Sequence, residues 1–523
     1  MTSKVMTFFR MLRTGWVLVR HDALIPKEYG AAVPGPIRAL GAMSRIFAIR
    51  HRAQNPGERF ATALEALGPA YIKFGQILST RGDMLDADFV KGLSRLKDKV
   101  PSFAQAKAED MLDKAWGVPW GTHLKSLSEP IAAASVAQVH KGILKTGEIV
   151  AVKILRPQIH KRMRKDMDVL AMVAGLAELF IPDSQRLGPK KFVATADRAV
   201  MLELDLRLEA AAASELSEPA KETGLYRVPE IYWELGGKNI LVTDWIDGMA
   251  VSDPAILTDP SHDPKAIAVK VMQSFLACAF DYGVFHADMH EGNMIVAPDG
   301  ELWLIDFGIL GRLSPEEQRF HAEILFGFLR RDYQRIAEIH FEAGYVPPNH
   351  SIEDFASALR SVGEPIFGKS AENVAMTKVL LQLFEITEIF DMQMQPQLIM
   401  LQKTMMQTEG VCRRLDPNFD MWEISRPIVE ASMRRELGIE GRLNDLLDAM
   451  ERARRTLEGL PDATENIAAL AKAWVEGEVD LSRSSLRADP VSANGPKWKS
   501  AAWAGLGAAL ALSGVWAVAQ IAS

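Results

Sequence analysis

Cysteine is scarce in this sequence, since Cys278 and Cys412 are the only two among 523 residues. Two cysteines are too few for a disulfide framework or a structural zinc site, so a reducing compartment is expected. An excess of positive charge is also lacking, because 60 lysines and arginines against 67 acidic residues leave a net charge of −7. That balance argues against a dedicated nucleic-acid-binding protein. Biased composition is absent too, and 48% hydrophobic with 24% charged residues excludes a disordered or collagen-like chain.

Positive charge is concentrated at the amino-terminal end. Residues 1–60 hold ten lysines and arginines against three acidic residues, a net charge of +7, which leaves −14 for the remainder. A basic end of this kind is attracted to an anionic membrane face. Val5 to Val19 fits an amphipathic surface helix better than a signal peptide, because Arg10 and Arg13 interrupt its apolar run. Its apolar residues would contact a membrane or partner, or else pack on the protein itself. They are Phe8, Phe9, Met11, Leu12 and Trp16.

The carboxyl-terminal end is apolar, with 22 residues from Ala501 to Ala522 that carry no charge. As a helix this run would span about 33 Å, enough for the hydrocarbon core of a bilayer. If this run spans a membrane, the preceding lysines, Lys497 and Lys499, place the main body of the protein on the cytoplasmic side. The sequence therefore predicts one transmembrane helix, with a buried alanine-rich packing helix as the alternative.

Between these ends, helical and strand-like patterns alternate, and the length allows two to four domains at about 150 residues each. Short strands are predicted over 123–155, and one continuous helix is predicted over 191–217. A further strand is predicted at 228–233. Beyond Pro315 the pattern is helical up to about residue 475. These patterns indicate a smaller mixed lobe followed by a larger helical lobe.

A strong hairpin signal identifies a candidate metal site. Two strand patterns flank the tight-turn sequence Pro298-Asp299-Gly300. The outer ends of a hairpin lie side by side, so Asn293 and Asp306 are expected to be neighbours. An amide oxygen and a carboxylate are hard ligands of the kind that Mg²⁺ takes together with phosphate oxygens. Asp288, five residues before Asn293, is then close enough to orient a nucleophile or a water.

The residues around this hairpin follow the order found in protein kinases. His286 to Asn293 reads H-x-D-x-x-x-x-N, and Asp306 begins a D-F-G triplet. Upstream, Ala151-Val152-Lys153 matches the strand that carries the kinase lysine. The ordered set resembles protein kinases and implies a bilobal kinase-like fold.

Two segments distinguish the chain from ordinary protein kinases. An alanine-rich stretch, Ile131 to His140, stands where a glycine-rich phosphate loop would precede the lysine strand. Alanine offers backbone N–H groups to phosphate but resists positive φ, so a stiffer loop with altered nucleotide preference is expected. Further upstream, Lys73 and Gln76 share one face of a predicted helix. Taken alone, these two would be solvated surface residues.

Together these segments resemble the UbiB (AarF/ADCK) family of atypical kinases, over about residues 60–312. Lys73-Phe74-Gly75-Gln76 is similar to its Lys-x-Gly-Gln motif, residues 132–140 to its alanine-rich loop, and Glu203-Leu204-Asp205 to its Glu-x-Asp motif. The basic amino-terminal end and the apolar tail also fit the family.

The sequence departs from the family pattern at two points. Met289 and Glu291 stand in the catalytic loop where the family usually has prolines, which bears on the rigidity of that loop. The tail holds one apolar run where bacterial relatives commonly have two spans, which bears on membrane topology.

The resemblance implies ATP and Mg²⁺ as ligands and suggests roles for charged residues. Lys153 would anchor phosphate with Glu209 as its partner. Glu203 would meet Lys73, so that the Lys73 helix covers the pocket where a protein substrate would otherwise bind. Asp205 and Glu209, four residues apart, would share one face of the 191–217 helix.

The candidate site residues fall into four groups. Catalytic roles are predicted for Asp288 and Lys153, metal binding for Asn293 and Asp306. ATP binding is predicted for Ala132, Ala133, Ala134, Ser135, Val136, Ala137, Gln138, Lys153, Glu209, Thr243, Asp244 and Trp245. Regulatory roles are predicted for Lys73, Gly75, Gln76, Glu203 and Asp205.

The predicted fold class is therefore α+β, a bilobal protein-kinase-like fold with an N-terminal helical extension and an apolar C-terminal transmembrane helix. The predicted divisions are a basic amphipathic region 1–57, the helical extension 58–122, an N-lobe 123–247, a helical C-lobe 248–480, a linker 481–500 and a transmembrane helix 501–522.

The resemblance implies a membrane-associated, Mg-ATP-dependent atypical kinase or ATPase that supports ubiquinone biosynthesis through ATP-coupled handling of lipid-soluble precursors. Implied partners are an anionic membrane, a quinone-like lipid, biosynthetic enzymes and a second copy of the chain. One alternative is a small-molecule phosphotransferase, because H-x-D-x-H-x-x-N also resembles aminoglycoside and choline kinases, although the Lys73–Gln76 segment counts against it. The other is a non-enzymatic, nucleotide-gated scaffold, although every catalytic position is filled.

Overall fold

The computed structural model describes residues 2–437 apart from positions 25–34, 50–54, 80–86, 94, 97–99, 181–187, 368–381, 384, 388, 393 and 394. The described residues form two compact units. The first unit contains the residues up to 211 together with 230–245. The second unit contains 212–229 and the residues from 246 onward.

The first unit combines helices with one sheet. Its helices are α1 (Thr2–Arg20), α2 (Gly35–Ser44), α3 (Pro56–Leu67), α4 (Pro69–Ser79), α5 (Ala87–Leu93), α6 (Gln105–Trp116), α7 (Ile159–Phe180), α8 (Pro189–Glu203) and the start of α9 (Leu206–Thr223). Its strands are β1 (Leu124–Ala133), β2 (Ala137–Leu144), β3 (Ile149–Leu155) and β4 (Ile240–Asp244).

The sheet of the first unit is antiparallel in the order β1-β2-β3-β4, so the strands predicted over 123–155 are confirmed. Side chains alternate along β3: Val150, Val152 and Ile154 are fully buried in a core shared with α6. Lys153 therefore lies on the opposite face of the sheet. Its neighbours across the sheet are Val139 on β2 and Leu241 on β4.

Helices α3, α4, α7 and α8 share a second hydrophobic core, to which α1 adds Met11 and Leu18. Local sequence explains where α3 begins. The side chain of Asn55 accepts a hydrogen bond from the Glu58 amide at 2.8 Å, and Pro56 occupies the first helical position.

The second unit is mainly helical, with short strands. Its helices are α10 (Pro264–Asp281), α11 (Pro315–Arg330), α12 (Tyr333–Glu342), α13 (Ile352–Phe367), α14 (Pro396–Leu415) and α15 (Met421–Leu437). Its strands are β5 (Met249–Ala250), β6 (Val284–His286), β7 (Met294–Val296), β8 (Leu302–Leu304) and β9 (Leu310–Arg312), paired as β5-β7-β8 and β6-β9.

The predicted hairpin is present. Met294 on β7 pairs with Leu304 on β8, and the turn between the strands closes with a hydrogen bond from the Gly300 amide to the Ala297 carbonyl. Gly300 has φ = 82°, a value that glycine adopts without strain. The outer ends of the hairpin are thereby held together.

Two predictions of secondary structure were wrong. The helix predicted over 191–217 is divided into α8 and α9, because the Leu206 amide leaves the helical pattern and donates to the Lys238 carbonyl at 3.1 Å. Burial of Leu204 and Leu206 on either side fixes this break. The strand predicted at 228–233 is reduced to an isolated bridge between Ile231 and Thr243.

The fold class requires one further correction. Among the residues that the structure describes, no helix is both long enough and apolar enough to cross a membrane. The predicted transmembrane helix 501–522 and the linker 481–500 themselves lie outside the described residues. The described fold is thus α+β with a helical extension, without a membrane-spanning helix.

Candidate functional site

An ion pair occupies the face of the sheet that carries Lys153. Its ammonium nitrogen Nζ lies 2.6 Å from Oε1 of Glu209, in the first turn of α9. Only 8% of Glu209 is exposed, and the positive end of a helix dipole favours a carboxylate at this position. The expected pairing of these two residues is present, while their binding of ATP stays a prediction.

A second ion pair joins the amino-terminal extension to α8. Lys73 on α4 contacts Glu203, the last residue of α8, as the family resemblance implied. Gly75, two residues after Lys73, lies where α4 closely approaches α3. A Cβ atom there would stand 2.4 Å from Leu96 Cδ1 and 2.5 Å from Leu64 Cδ1. Gly75 is therefore required by packing, whereas the predicted regulatory roles stay untested.

Asp205 has a different environment from the one predicted. It lies in the break between α8 and α9, so it does not share a helical face with Glu209. Both of its carboxylate oxygens accept hydrogen bonds from the Arg207 guanidinium, at 2.9 and 2.6 Å. These hydrogen bonds lower the pKa of Asp205.

The alanine-rich segment is a tight turn between β1 and β2. Ala132 and Ala133 end β1, Ala134 donates its amide to the Ala137 carbonyl at 2.8 Å, and no residue from 132 to 138 has positive φ. The segment therefore keeps ordinary backbone angles, and its expected stiffness stays a prediction.

Part of this segment faces the protein interior. Ser135, Val136, Ala137 and Gln138 are buried, so their side chains have little exposed surface. The Gln138 carboxamide instead accepts from the Phe103 amide at 2.9 Å. The prediction for this segment concerned its backbone N–H groups, and ATP binding by residues 132–138 stays a prediction.

Arg156 is a residue that sequence reasoning missed. Its guanidinium donates to the Ala134 carbonyl from Nε at 2.9 Å and from Nη2 at 2.7 Å. It also donates to the carbonyls of Val100 and Pro101. Arg156 thus connects the alanine-rich turn to a distant segment. The position of Arg156 directly after the lysine strand was the sequence signal that could have identified it.

Thr243, Asp244 and Trp245, which were predicted to bind ATP, lie at the end of β4. Asp244 accepts hydrogen bonds from the Tyr232 hydroxyl at 3.0 Å and from the Glu230 amide at 3.2 Å. The Trp245 ring lies under the Lys141 ammonium, 4.7 Å from the ring centroid. Thr243 forms the bridge to Ile231. These contacts connect residues within the first unit. Binding of ATP by Thr243, Asp244 and Trp245 stays a prediction.

In the second unit, the hairpin and its adjoining loop bring the three predicted catalytic and metal residues into one network. The Ile305 amide, next to Asp306, donates to the Asn293 carbonyl at 3.1 Å. The Asn293 side-chain nitrogen Nδ2 donates to the Asp288 carbonyl at 3.1 Å. The Gly308 amide donates to Oδ1 of Asp306 at 3.2 Å. The local geometry therefore follows from the turn sequence, as predicted.

His286 connects the two loops. Its Nδ1 accepts a hydrogen bond from the Asp288 amide at 3.1 Å, so the ring proton is on Nε2, which donates to the Asp306 carbonyl. Burial of the ring lowers the pKa of His286, which keeps the imidazole neutral. The neutral ring is thus a fixed link between the Asp288 loop and the D-F-G segment.

The two departures from the family pattern have structural explanations. Met289 is 1% exposed and fills the core beneath the loop. Glu291 forms an ion pair with Arg414 of α14, whose Nε lies 2.6 Å from Oε2 of Glu291. Packing and an ion pair therefore hold the loop where prolines would otherwise restrict it.

The donor set fits Mg²⁺ rather than a metal that needs many protein ligands. Within the described ranges, no group of three or more His, Cys, Asp or Glu residues could hold a metal ion. The Asn293 nitrogen is already committed to Asp288, which leaves its oxygen Oδ1 as the ligand atom. One amide oxygen and the Asp306 carboxylate are what Mg²⁺ uses when phosphate oxygens and water complete its shell.

Comparison with known families gives two matches. Residues 95–340 match the ABC1 atypical kinase-like domain, and residues 359–420 match the UbiB helical domain. The first match confirms the predicted kinase-like fold. The second covers α14.

Relatives of similar length are known in bacteria. A Marinobacter nauticus protein named "Probable protein kinase UbiB" is 37% identical over 444 residues, which cover 84% of this chain and 81% of the relative. A Pseudomonas putida protein of the same name is 40% identical over 383 residues, 72% of this chain and 71% of the relative. A Mycobacterium tuberculosis protein solved in complex with erythromycin is 22% identical and covers 68% of this chain and 90% of that chain, with a TM-score of 0.49.

Proposed function

Because the chain belongs to the UbiB family of atypical kinases, we propose that it binds Mg-ATP and transfers or releases its terminal phosphate. The observation that carries this proposal is the ion pair between Lys153 and the buried Glu209. Removing a carboxylate from water is costly unless it is paired. A strand lysine held by such a carboxylate is the arrangement with which kinases bind the phosphates of ATP.

Each charged group then has a role. Lys153 binds phosphate oxygens, and Glu209 keeps its ammonium group in place. Asn293 and Asp306 would hold Mg²⁺, which neutralises phosphate charge when it is bound. The Asp288 carboxylate accepts a hydrogen bond from the attacking hydroxyl or water and orients it. His286 and Asn293, through their hydrogen bonds to Asp288, keep the backbone of this loop fixed.

The proposal is tested by phosphate release from Mg-ATP, measured on the full-length protein with and without anionic liposomes. Asp306→Asn removes the carboxylate charge and should reduce turnover to background. Asp299→Asn is the matched control, because Asp299 lies on the turn of the same hairpin and its carboxylate accepts a hydrogen bond from the Glu301 amide. Equal turnover in wild type and Asp306→Asn would contradict the assignment.

Two further measurements on the same protein separate the alternatives. A phosphorylated small molecule, detected by mass spectrometry, would favour a small-molecule phosphotransferase. Tight nucleotide binding without phosphate release, even on membranes, would favour a nucleotide-gated scaffold.

The proposed pathway is ubiquinone biosynthesis, with ATP turnover coupled to the handling of lipid-soluble precursors. Membership of the UbiB family supports this part of the proposal. A deletion strain that carries the wild-type gene should recover its ubiquinone content, as measured by chromatography of lipid extracts. The same strain carrying Asp306→Asn should not recover it. Recovery by both alleles would contradict a role for turnover.

Membrane association is supported by an apolar surface at the amino-terminal end. Helix α1 buries Met11 and Leu18 but exposes Phe9, Leu12 and Trp16. The Trp16 ring packs at 5.9 Å on the ring of Phe47, which is itself 59% exposed in the short 3₁₀-helix Arg45–Phe47. Arg13 and Arg20 are exposed on the same helix. Exposed aromatics beside arginines fit the interface of an anionic membrane.

Co-sedimentation with liposomes tests this surface. Trp16→Ser combined with Phe47→Ser should reduce binding to anionic vesicles about tenfold or more, because two interfacial aromatics are lost. Trp233→Ser is the matched control, since Trp233 is 56% exposed elsewhere in the first unit. Equal binding by the double variant and the control would exclude this surface as the contact.

A further inference from the structure

Helix α14 lies along the loop that carries Asp288. Three of its side chains contact successive parts of that loop. The Thr404 hydroxyl shares its proton between the Met400 carbonyl of the same helix at 2.9 Å and the Ala287 carbonyl of the loop at 3.2 Å. The Gln407 amide donates to Oδ1 of Asp288 at 3.1 Å, and Arg414 is paired with Glu291.

The spacing of these residues explains why one helix reaches the whole loop. At 100° per residue, Thr404, Gln407 and Arg414 fall within about 80° of one another around the helix axis. They therefore form a single stripe, which we call the loop-facing stripe. Arg414 also donates to the Val251 carbonyl, and the Cys412 thiol to the Ala268 carbonyl at 3.3 Å, so this end of α14 is anchored.

Gln407 makes the contact that bears directly on chemistry. A carboxylate can only accept, so the group facing Asp288 must be the NH₂ of the Gln407 amide. The amide oxygen Oε1 is buried and accepts no hydrogen bond within the described residues. An unpaired buried oxygen is destabilising, so its presence here is explained by the contact that the same amide makes with Asp288.

We propose that Gln407 is a positioning residue for Asp288, and that α14 couples the helical domain to the catalytic loop. This inference rests on the proposed function, since Asp288 acts only if phosphate chemistry takes place. By holding Oδ1, Gln407 fixes the plane of the carboxylate. Oδ2, which lies 3.7 Å from Nε2 of His290, is then the oxygen that faces the attacking hydroxyl or water. Small losses of orientation of this kind reduce turnover without weakening nucleotide binding.

The test compares two substitutions on one helix. Gln407→Leu removes the donor at similar volume, whereas Gln397→Leu changes an exposed residue in the first turn of α14. We expect Gln407→Leu to lower kcat about tenfold or more with KM and Kd for Mg-ATP within about twofold. Gln407→Glu, which places a second carboxylate against Asp288, should lower kcat at least as much. Gln397→Leu should match wild type.

A second readout does not depend on turnover. The amides of Asp288, His290 and Asn293 are hydrogen-bonded within the loop, so their hydrogen exchange reports its opening. Gln407→Leu should speed exchange in a peptide covering 287–293, and Gln397→Leu should not.

The outcomes separate this inference from the proposed function. Unchanged kcat and unchanged hydrogen exchange in Gln407→Leu would overturn the inference. A lower Tm together with a higher KM and a lower kcat would also overturn it, because that combination indicates a structural role alone. Wild-type protein without turnover under any condition would refute the proposed function. The exchange comparison would then still decide whether Gln407 holds the loop.

Discussion

Glu209 carries a charge where little of its side chain reaches water, and this single residue determines how Lys153 is held. A neutral side chain at position 209 would remove the ion pair with the Lys153 ammonium. Breaking a buried ion pair is costly. We therefore expect Lys153 to bind the phosphates of ATP well only when Glu209 is charged.

Glu209→Gln should raise the Kd for Mg-ATP about tenfold or more, because Lys153 loses the carboxylate that positions it. Calorimetric titration measures this change directly. Glu178→Gln, which breaks the surface pair with Lys190 in the same unit, is the control and should leave Kd within about twofold. Equal Kd values for the two variants would show that Glu209 does not position Lys153 for nucleotide binding.

At the scale of helices, the close approach of α4 to Leu64 and Leu96 explains why a glycine stands at position 75. The Lys-x-Gly-Gln segment places Lys73 toward Glu203 and Gly75 against Leu64 and Leu96. A side chain at position 75 would separate α4 from these leucines. The same segment thus combines an ion pair with a packing requirement.

Gly75→Ala should destabilise the protein by about 1–3 kcal/mol, because its Cβ overlaps two leucine methyl groups. The change is measured as a lower Tm. Gly15→Ala is the matched control: it also lies in a helix, a Cβ there would meet nothing within 4 Å, and its Tm should stay equal or rise. A Tm for Gly75→Ala at or above that of wild type would refute the packing requirement.

Across the molecule, several buried histidines share one electrostatic property. Burial lowers the pKa of His140 in the first unit and of His286, His321 and His340 in the second. The unfolded chain therefore binds protons more readily than the folded one. Stability that is present above the ordinary histidine pKa is lost as the pH falls through it.

His340 should contribute most clearly to this effect, since burial lowers its pKa from 6.5 to about 4. Lowering the pH from about 7.5 to about 5 should cost about 2 kcal/mol at this residue alone. Thermal melts across this range should show a smaller decrease in Tm for His340→Phe than for wild type. The control His160→Asn, at an exposed hydrogen bond to Asn239, should keep the wild-type slope. A slope unchanged in His340→Phe would contradict this account.

The sequence by itself determined the elements that depend on local order. The strand pattern over 123–155 predicted the strand that carries Lys153, and the Asp-Gly turn predicted that Asn293 and Asp306 terminate one hairpin. Motif order predicted the kinase-like fold, which the family match confirms. These features follow from neighbours in the chain, so a pattern can express them.

The tertiary structure decided what depends on residues far apart in sequence. The break at Leu206 requires the distant Lys238 carbonyl, and the burial of Gln138 requires the segment at Phe103. The contact of Gln407 with Asp288 joins residues 119 positions apart. No local pattern records such contacts, because burial and a partner's position, rather than residue type, determine where a polar side chain finds its hydrogen bond.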